Sequence, residues 1–510
     1  MTLTARTAVH YLRFWTQIIC IAAALIIGGL DNAVVATAVP SISNACHTST
    51  DIGWYSSAFR LSMCSSQFIY GKLYRSFRVK WVFMAALCVF TLGTIMCATA
   101  ASSKMFVVGR AVSGLGEAGL ISVCFVLTVH LLPLRRRPVY AAVLSGIESA
   151  AELVAPILGG VLTERLSWRW CFWVTLPLAC ITIGIAAFYF EDFQNQEAAE
   201  MSLKQKLAEL DLVGNLFFLP ALTTLFIALG WAGTRYAWQS PVVIGLLSCF
   251  AALLCAFAYI QYRRGDRATL PPRILKQRSV LAGFAFSVCC SSSLKVLEYY
   301  MPTYFQVVQD FSPAKSGYMT LPIVVGFIIG MQLCGTCTTL FGYYNPFMLS
   351  ASVLLPIASG LVTTWKADTG FAKLIVYPGL LGFASGVGWQ GPQYAVQMSL
   401  STADAPIGLS IYVFSNSFGP ALFVSVASTI FTNQLSKNLS HLAPGLDPAS
   451  IENMGLGDLK AQIGTDKTAE ALEGFVKSLV QTWYLAVALC CASIIGTALM
   501  EWRSVKQKRQ

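Results

Sequence analysis

Residues 30–40 read LDNAVVATAVP and place one carboxylate, that of Asp31, inside an apolar run that begins near Phe14. A carboxylate at the centre of a membrane helix costs about 2.5–3.5 kcal/mol on insertion scales, so it is retained where a bundle interior or a wet cavity receives it. A second interpretation places Asp31 at a helix end near the membrane interface, where water reaches it.

The composition is that of a membrane protein. The chain has 510 residues, of which 56% are hydrophobic and 12% are charged. A soluble domain carries about twice this share of charge. Apolar runs of about 20 residues, the length that crosses the hydrocarbon core, recur from end to end. The sequence therefore predicts an all-α membrane protein with fourteen spans, at 14–39, 52–70, 82–101, 106–131, 139–163, 171–190, 212–231, 241–259, 280–305, 317–340, 347–365, 372–398, 407–431 and 475–500.

The distribution of Lys and Arg predicts the orientation. Basic clusters at 72–80, 135–137, 263–278 and 503–509 fall on one side of the predicted membrane, and the positive-inside rule makes that side cytosolic, with both termini. The predicted domains are a cytosolic N-terminus (1–13), a six-helix half (14–190), a linker with two extra spans (191–262), a cytosolic loop (263–279), a second six-helix half (280–500) and a cytosolic tail (501–510). An extracellular loop at 432–474 contains Asn438-Leu439-Ser440, a predicted glycosylation sequon.

The opening stretch also resembles a known motif. It is similar to L-D-x-T-[IV]-V-x-x-A-[LV]-P, found in the first helix of the fourteen-helix drug:proton antiporter branch of the major facilitator superfamily, with Ala33 in place of Thr. The resemblance implies the major facilitator fold, with fourteen helices arranged as six, two and six, and it implies that Asp31 belongs to the transport path.

Two further stretches resemble gating motifs of that superfamily. The loop at 71–80 is similar to G-x-L-a-D-r-x-G-r-k, with agreement at Gly71 and Lys80 but with Arg75 where the family has an aspartate. That aspartate helps to latch the two halves, so the latch must differ here. Residues 155–160, APILGG, are similar to the exporter-associated G-P-x-x-G-G motif. The resemblance implies gating roles for six residues, namely Gly71, Arg75, Lys80, Pro156, Gly159 and Gly160.

The fourth span contains RAVSGLGEAG at 110–119, which is similar to the superfamily motif R-x-x-[Q/S]-G-x-G-x-[AG]. Its glycines also match a dinucleotide fingerprint, but no strand precedes them, so we interpret them as sites of close helix packing. An arginine inside a membrane helix needs a partner or water.

Several carboxylates accompany this arginine. Glu148 and Glu152 lie one turn apart on the fifth span, so they share a helix face. Close carboxylates in a low dielectric do not all ionise readily. We therefore hypothesise a proton-coupling site made of residues from three spans, namely Asp31, Arg110, Glu117, Glu148 and Glu152. The alternative is static pairing without titration during transport.

Polar and aromatic residues on the ninth, twelfth and thirteenth spans indicate a cargo cavity. Aromatic faces with amide groups suit a bulky, partly apolar molecule that forms hydrogen bonds. The predicted lining residues are Tyr299, Tyr300, Tyr304, Gln390, Gln393, Gln397, Tyr412 and Asn416. Lys295 and Glu298 are spaced to pair along one helix.

These features predict a proton-coupled transporter that exports amphipathic organic compounds such as drugs, toxins or secondary metabolites. The alternatives are an uptake permease or proton symporter on the same fold, and a non-transporting sensor. The expected partners are a small organic molecule, protons and the lipid bilayer, with no nucleic acid, and we expect a monomer in the plasma membrane or, alternatively, the vacuolar membrane. We expect no enzyme activity, catalytic residue, cofactor or metal site.

Overall fold

The structure, a computed structural model, describes residues 3–46, 52–190, 200–232, 236–439 and 468–506. Within these ranges the chain forms eighteen α-helices, joined by short loops and one 3-10 turn. In chain order the helices are α1 (Leu3–Cys46), α2 (Ile52–Ser76), α3 (Val79–Ala98), α4 (Ser103–Leu131), α5 (Arg137–Arg165), α6 (Trp170–Trp173), α7 (Thr175–Tyr189), α8 (Leu203–Glu209), α9 (Leu212–Trp231), α10 (Pro241–Arg264), α11 (Pro272–Leu275), α12 (Arg278–Val307), α13 (Pro313–Phe341), α14 (Asn345–Val362), α15 (Phe371–Trp389), α16 (Gly391–Ser399), α17 (Ala405–Leu439) and α18 (Thr468–Leu499).

Thirteen segments in the described ranges are long and apolar enough to cross a membrane. They correspond to every predicted span except the second, and some combine two short neighbouring helices, such as α6 with α7. The second predicted span is α2, a helix of 25 residues that carries Arg60 and Gln67 and is therefore less apolar than the others. The predicted all-α membrane fold is confirmed.

One predicted boundary is wrong. The sequence suggested a loop from 432 to 474, but α17 continues to Leu439 and α18 begins at Thr468. The extra turns of α17 bury Phe431, Leu435 and Leu439, which are spaced four apart and so lie on one helix face. Residues 440–467, the remainder of that loop, lie outside the described residues, as do the outermost parts of the predicted N-terminus, linker and tail.

The N-terminal half packs α1 against α5 and α7, and α4 against α2 and α3. Glycines on α4 permit the closest of these contacts. A Cβ atom at Gly114 would overlap the backbone of Phe59 on α2, and one at Gly116 would overlap Phe90 on α3. The interpretation of these glycines as packing residues is confirmed.

The C-terminal half packs α12 against α17 and α18, and α15 against α13 and α14. Its core contains an aromatic cluster in which the ring of Trp365 lies 4.8 Å from Tyr304 and 5.6 Å from Trp483. All three side chains are buried. Each half thus has its own hydrophobic core.

The two halves meet along two seams, α2 against α17 and α5 against α13. Each seam joins the second helix of one half to the fifth helix of the other. This reciprocal pairing is the arrangement expected of two halves related by a pseudo-twofold axis along the membrane normal.

The extra helices α9 and α10 pack against each other, and α9 contacts both α2 and α17. Asp211 joins their ends. One oxygen of its buried carboxylate accepts a hydrogen bond from the backbone amide of Gly214 at the start of α9 (2.9 Å), and the other accepts one from Gln261 near the end of α10 (2.8 Å). Arg264 pairs with this carboxylate at 3.1 Å, which compensates its charge.

Candidate functional site

Asp31 and Arg110 form a buried ion pair between α1 and α4. Asp31 is 0% exposed and Arg110 is 1% exposed, and the guanidinium Nη1 binds Asp31 Oδ2. Arg110 Nε also donates to the backbone carbonyl of Tyr55 (3.1 Å), and the guanidinium carbon lies 4.2 Å from the ring centre of Phe59. Because α1 continues to Cys46, Asp31 does not lie at a helix end.

The pair leaves one carboxylate oxygen available. Among the described residues, Oδ1 of Asp31 has no hydrogen-bond partner. A buried, charged carboxylate oxygen that accepts no hydrogen bond raises the free energy of the folded state. Protonation removes the charge and lowers that cost. The geometry therefore allows Asp31 either to hold Arg110 or to take up a proton.

Glu117 lies two turns beyond Arg110 on α4 and is also buried. Its Oε2 has no hydrogen-bond partner within the described part of the chain. Its carboxyl group occupies the space left by the missing side chain of Gly28 on α1, where a Cβ atom would overlap it. Gly28 was not predicted as a site residue from the sequence, because the carboxyl group that fills its space lies on another helix.

We expect Gly28→Ala to displace the Glu117 carboxylate. Overpacking of this kind destabilises the folded state by about 1–3 kcal/mol, so the thermal midpoint should fall. The fraction of transport that is lost should be at least as large as the fraction of folded protein that is lost. Gly184→Ala on α7 is the matched control, because a Cβ atom there would meet no described atom within 4 Å. Thermal unfolding and transport by reconstituted protein measure both effects. Equal behaviour of the two variants would contradict this account.

Glu148 and Glu152 on α5 are half-buried and complete the cluster. Glu152 Oε1 accepts a hydrogen bond from Asn32 Nδ2 on α1 (3.1 Å). Glu117 interacts electrostatically with both α5 carboxylates and with the Asp31–Arg110 pair. The structure thus brings all five predicted proton-coupling residues together between α1, α4 and α5. Asp31 and Glu117 interact with Arg110, and Glu148 and Glu152 interact with Glu117.

The predicted cavity residues on α12 separate into two groups. Tyr299 is 55% exposed. Tyr300 and Tyr304 are buried in the core of the C-terminal half, where the Tyr300 ring lies 5.1 Å from Phe431 and the Tyr304 hydroxyl donates to the carbonyl of Lys366 (2.6 Å). Their assignment to a cavity is wrong in this conformation, because their helix face turns toward α17, α18 and the aromatic cluster.

The three predicted glutamines are buried near the junction of the halves. Gln390 Nε2 donates to Ser145 Oγ on α5 (3.2 Å), and its Oε1 accepts from the hydroxyl of Tyr394. Within the described residues, the Nε2 atoms of Gln393 and Gln397 have no acceptor. These buried amides are accessible to cargo only if the halves move apart.

The other two predicted cavity residues lie on α17. The Tyr412 ring lies 6.0 Å from Phe125 on α4, and its hydroxyl donates to the carbonyl of Trp389 (3.1 Å). Tyr412 is buried at the seam between the halves, whereas Asn416, one turn further, is half-buried.

The end of the bundle that carries the basic clusters, which we call the basic end, is closed by contacts between the halves. Arg75 Nη2 lies 3.6 Å from Asp404 Oδ1, in the loop between α16 and α17. Arg273 Nη1 lies 2.9 Å from the second oxygen of Asp404. At Gly71 on α2, a Cβ atom would lie 2.7 Å from Ser410 Oγ on α17, so glycine allows this approach.

This latch has reversed charges relative to the motif. The family aspartate is replaced by Arg75, and the acidic partner is supplied by Asp404 in the opposite half. Burial of the Asp404 carboxylate raises its pKa, but hydrogen bonds from Arg273 and Ser401 and the charge of Arg75 outweigh burial, so its pKa lies below the usual value. Asp404 was not predicted from the sequence, although an arginine at position 75 indicated that the contact between the halves requires an acidic partner.

The remaining predicted gating residues behave differently from one another. Lys80 Nζ donates to the carbonyl of Ala187 on α7 (2.7 Å), so it holds its own half together and its assignment to the gate is wrong in this conformation. Gly159 packs closely against Val34 on α1, whereas Pro156 is exposed and a Cβ atom at Gly160 would have no described atom within 4 Å.

Asn438, the predicted glycosylation site, lies in the last turn of α17. Its Nδ2 donates to Ser478 Oγ (2.8 Å) and to Gln481 Oε1 (3.0 Å), both on α18. These bonds use both hydrogens of the amide that would carry a glycan. Glycosylation of Asn438 remains a prediction, and it requires at least one of these bonds to break.

Two six-helix halves that meet along a reciprocal pair of seams define the fold of a secondary transporter. The buried charged cluster lies within the N-terminal half, between α1, α4 and α5. A family model described as Major Facilitator Superfamily matches residues 21–230. The chain is 38% identical over 491 residues to the MFS-type efflux pump MFS1 of Arthroderma benhamiae, covering 96% of this chain and 91% of that protein. The chain belongs to the major facilitator superfamily and is a multi-pass membrane protein.

Other proteins are similar at comparable length. Efflux pump roqT of Penicillium rubens is 36% identical over 499 residues, with 97% of this chain and 92% of that protein covered. The aspyridones efflux protein of Neocamarosporium betae is 37% identical over 496 residues, with 97% and 88% covered. Among solved structures, the proton:xylose symporter XylE matches with a TM-score of 0.63 at 12% identity, covering 97% of this chain and 98% of that chain. At this identity, the similarity to XylE concerns the fold alone.

Proposed function

We propose that this protein is a proton-coupled antiporter that exports amphipathic organic compounds. The observation that carries the proposal is the cluster formed by Arg110 and four carboxylates between α1, α4 and α5, in a fold whose halves meet at two seams. Relatives that are named efflux pumps, similar over nearly the whole chain, support the export direction. Both termini are proposed to be cytosolic and the plasma membrane to be the site, with the vacuolar membrane as the alternative; the protein acts as a monomer.

In the proposed cycle, the halves rock around the charged cluster. The structure is closed at the basic end, which corresponds to the state that opens to the outside when that end is cytosolic. Protons from outside neutralise Asp31 and its neighbours, and loss of negative charge weakens their hold on Arg110. Protonation thereby biases which end of the bundle is open, because it changes the relative free energies of the two states.

Reconstitution into liposomes with an imposed pH gradient tests the proposal. A panel of amphipathic acids, amides and amines is added, and compound and proton fluxes are recorded together. We expect compound flux against proton flux, abolished by a protonophore. Folded protein that moves no compound in response to the gradient would overturn the proposal, and flux in the same direction as protons would replace antiport with symport.

A further inference from the structure

A second charged group lies outside the proton-coupling cluster, on the opposite half. Lys295 Nζ pairs with Glu298 Oε2 at 2.8 Å, along one face of α12. Lys295 is 40% exposed although its neighbours Leu294 and Val296 are buried. The exposed face of α12 is therefore restricted to a narrow stripe.

This stripe faces the N-terminal half. Lys295 interacts electrostatically with Glu152 on α5 and with Arg60 on α2, in addition to Glu298. Both of these helices belong to the N-terminal half, so the Lys295 side chain lies near groups of that half. Tyr299, one turn from Lys295, is exposed on the same stripe.

Arg60 is a cation on α2, and its electrostatic interaction with Lys295 is one between like charges. Its residue is exposed, and it forms no hydrogen bond or ion pair with the described residues. An arginine on a membrane helix needs a counter-charge or water. The guanidinium presents a planar fork of donors that matches a carboxylate, whereas Glu152 is already bound by Asn32.

We propose that Arg60 and Lys295 bind the ionised carboxylate of an organic-acid cargo, with one cation contributed by each half. Tyr299 then contacts the aromatic or apolar body of the cargo. Lys295 interacts with Glu152 of the proton-coupling cluster as well as with Glu298, so the proposed cargo site adjoins that cluster. This inference rests on the proposed transport function and specifies its substrate class.

The test compares three compounds that share one ring system: 1-naphthaleneacetate, its neutral amide 1-naphthaleneacetamide, and the cation 1-naphthylmethylamine. Their pH-gradient-driven flux is measured in proteoliposomes, with empty liposomes subtracted. For wild-type protein we expect the flux of the acid to exceed that of the amide and the amine by at least about tenfold. The reason is that only the acid carries a carboxylate that can form charge-assisted hydrogen bonds with Arg60 and Lys295.

Variants then assign the contact. Arg60→Gln and Lys295→Gln should each lower the acid-to-amide flux ratio about tenfold or more, and Arg60→Lys should partly restore it, because the charge remains but the fork is lost. The matched control is Lys373→Gln, an exposed cation at the start of α15, with an unchanged ratio. The ratio is independent of how much protein folds.

The outcomes separate this inference from the proposed function. If wild-type protein moves all three compounds equally, or if both glutamine variants keep the wild-type ratio, cargo recognition by Arg60 and Lys295 is wrong and proton-driven transport stands. If folded wild-type protein moves none of the compounds of this set or of the wider panel, the proposed function fails and the inference fails with it.

Discussion

We expect Asp31→Asn to reduce proton-driven transport to the background of empty liposomes. Asparagine keeps the shape of the side chain and can still accept a hydrogen bond from Arg110, but it cannot exchange a proton. The variant also leaves the buried charge of Arg110 without a counter-ion, and breaking one side of a buried pair costs about 3–5 kcal/mol. A lower thermal midpoint is therefore expected together with the loss of flux.

A double variant separates these two effects. Asp31→Asn combined with Arg110→Gln removes the uncompensated charge, so stability should recover while transport stays absent. Asp368→Asn, an exposed carboxylate in the loop after α14, is the matched control and should transport normally. Restored transport in the double variant, or unchanged pH dependence in the single variant, would show that the pair is structural.

We expect Asp404→Asn to increase the population of molecules in which the basic end is open. The substitution removes the contact with Arg75 across the seam and the contact with Arg273 that orients it. A partly exposed ion pair contributes about 1 kcal/mol at most, which corresponds to about a fivefold shift in the population of the closed state. Spin labels are attached at Arg135→Cys and Thr402→Cys, in a background without exposed native cysteines. The distance between the two labels should show an additional population of molecules in which the labels lie farther apart. Transport should fall several-fold.

Arg75→Gln should produce a similar shift, since it removes the contact that crosses the seam. Lys80→Gln serves as the comparison, because Lys80 binds within its own half and should leave the distance distribution unchanged. If Arg75→Gln leaves the distances as they are in wild-type protein, the two halves are held together by packing at Gly71 and not by the charges.

We expect the contact between Asp404 and Arg75 to be insensitive to pH near neutrality. The pKa of Asp404 is lowered in the closed structure, so its stabilising contribution is complete above the usual aspartate pKa and is lost only as pH falls through the lowered value. At cytosolic pH the carboxylate is ionised throughout. We therefore expect the closed population, measured with the same labels in the background of neutralised coupling residues, to be constant between pH 6 and pH 8, roughly the range used for transporters.

The sequence predicted more of the charged cluster than of the cavity, and there is a physical reason. A charged group in a membrane helix has few permitted positions, so Asp31 and Arg110 could be expected to meet from their types alone. Tyr300 and Tyr304 have no such constraint. An aromatic side chain is equally suited to a cavity wall and to a core, and only the rotation of α12 decides between them.

The contacts between the halves were predicted least well. Arg75 signalled a changed latch, but its partner Asp404 lies more than three hundred residues away in the chain, and no local pattern connects the two. Gly28 was missed for the same reason, since the space it leaves is defined by Glu117 on another helix. The continuation of α17 to Leu439 was also not predicted, although the spacing of Phe431, Leu435 and Leu439 was visible in the sequence.

The position of α9 has a consequence for how a compound reaches the cleft. The ring of Phe218 on α9 lies 5.3 Å from Phe68 on α2 and 5.9 Å from Phe414 on α17, so this helix covers one of the two seams from the lipid side. The Ser425 hydroxyl on α17 also donates to the carbonyl of Leu229 on α9 (2.8 Å). The helix α9 therefore separates the seam between α2 and α17 from a molecule dissolved in the bilayer.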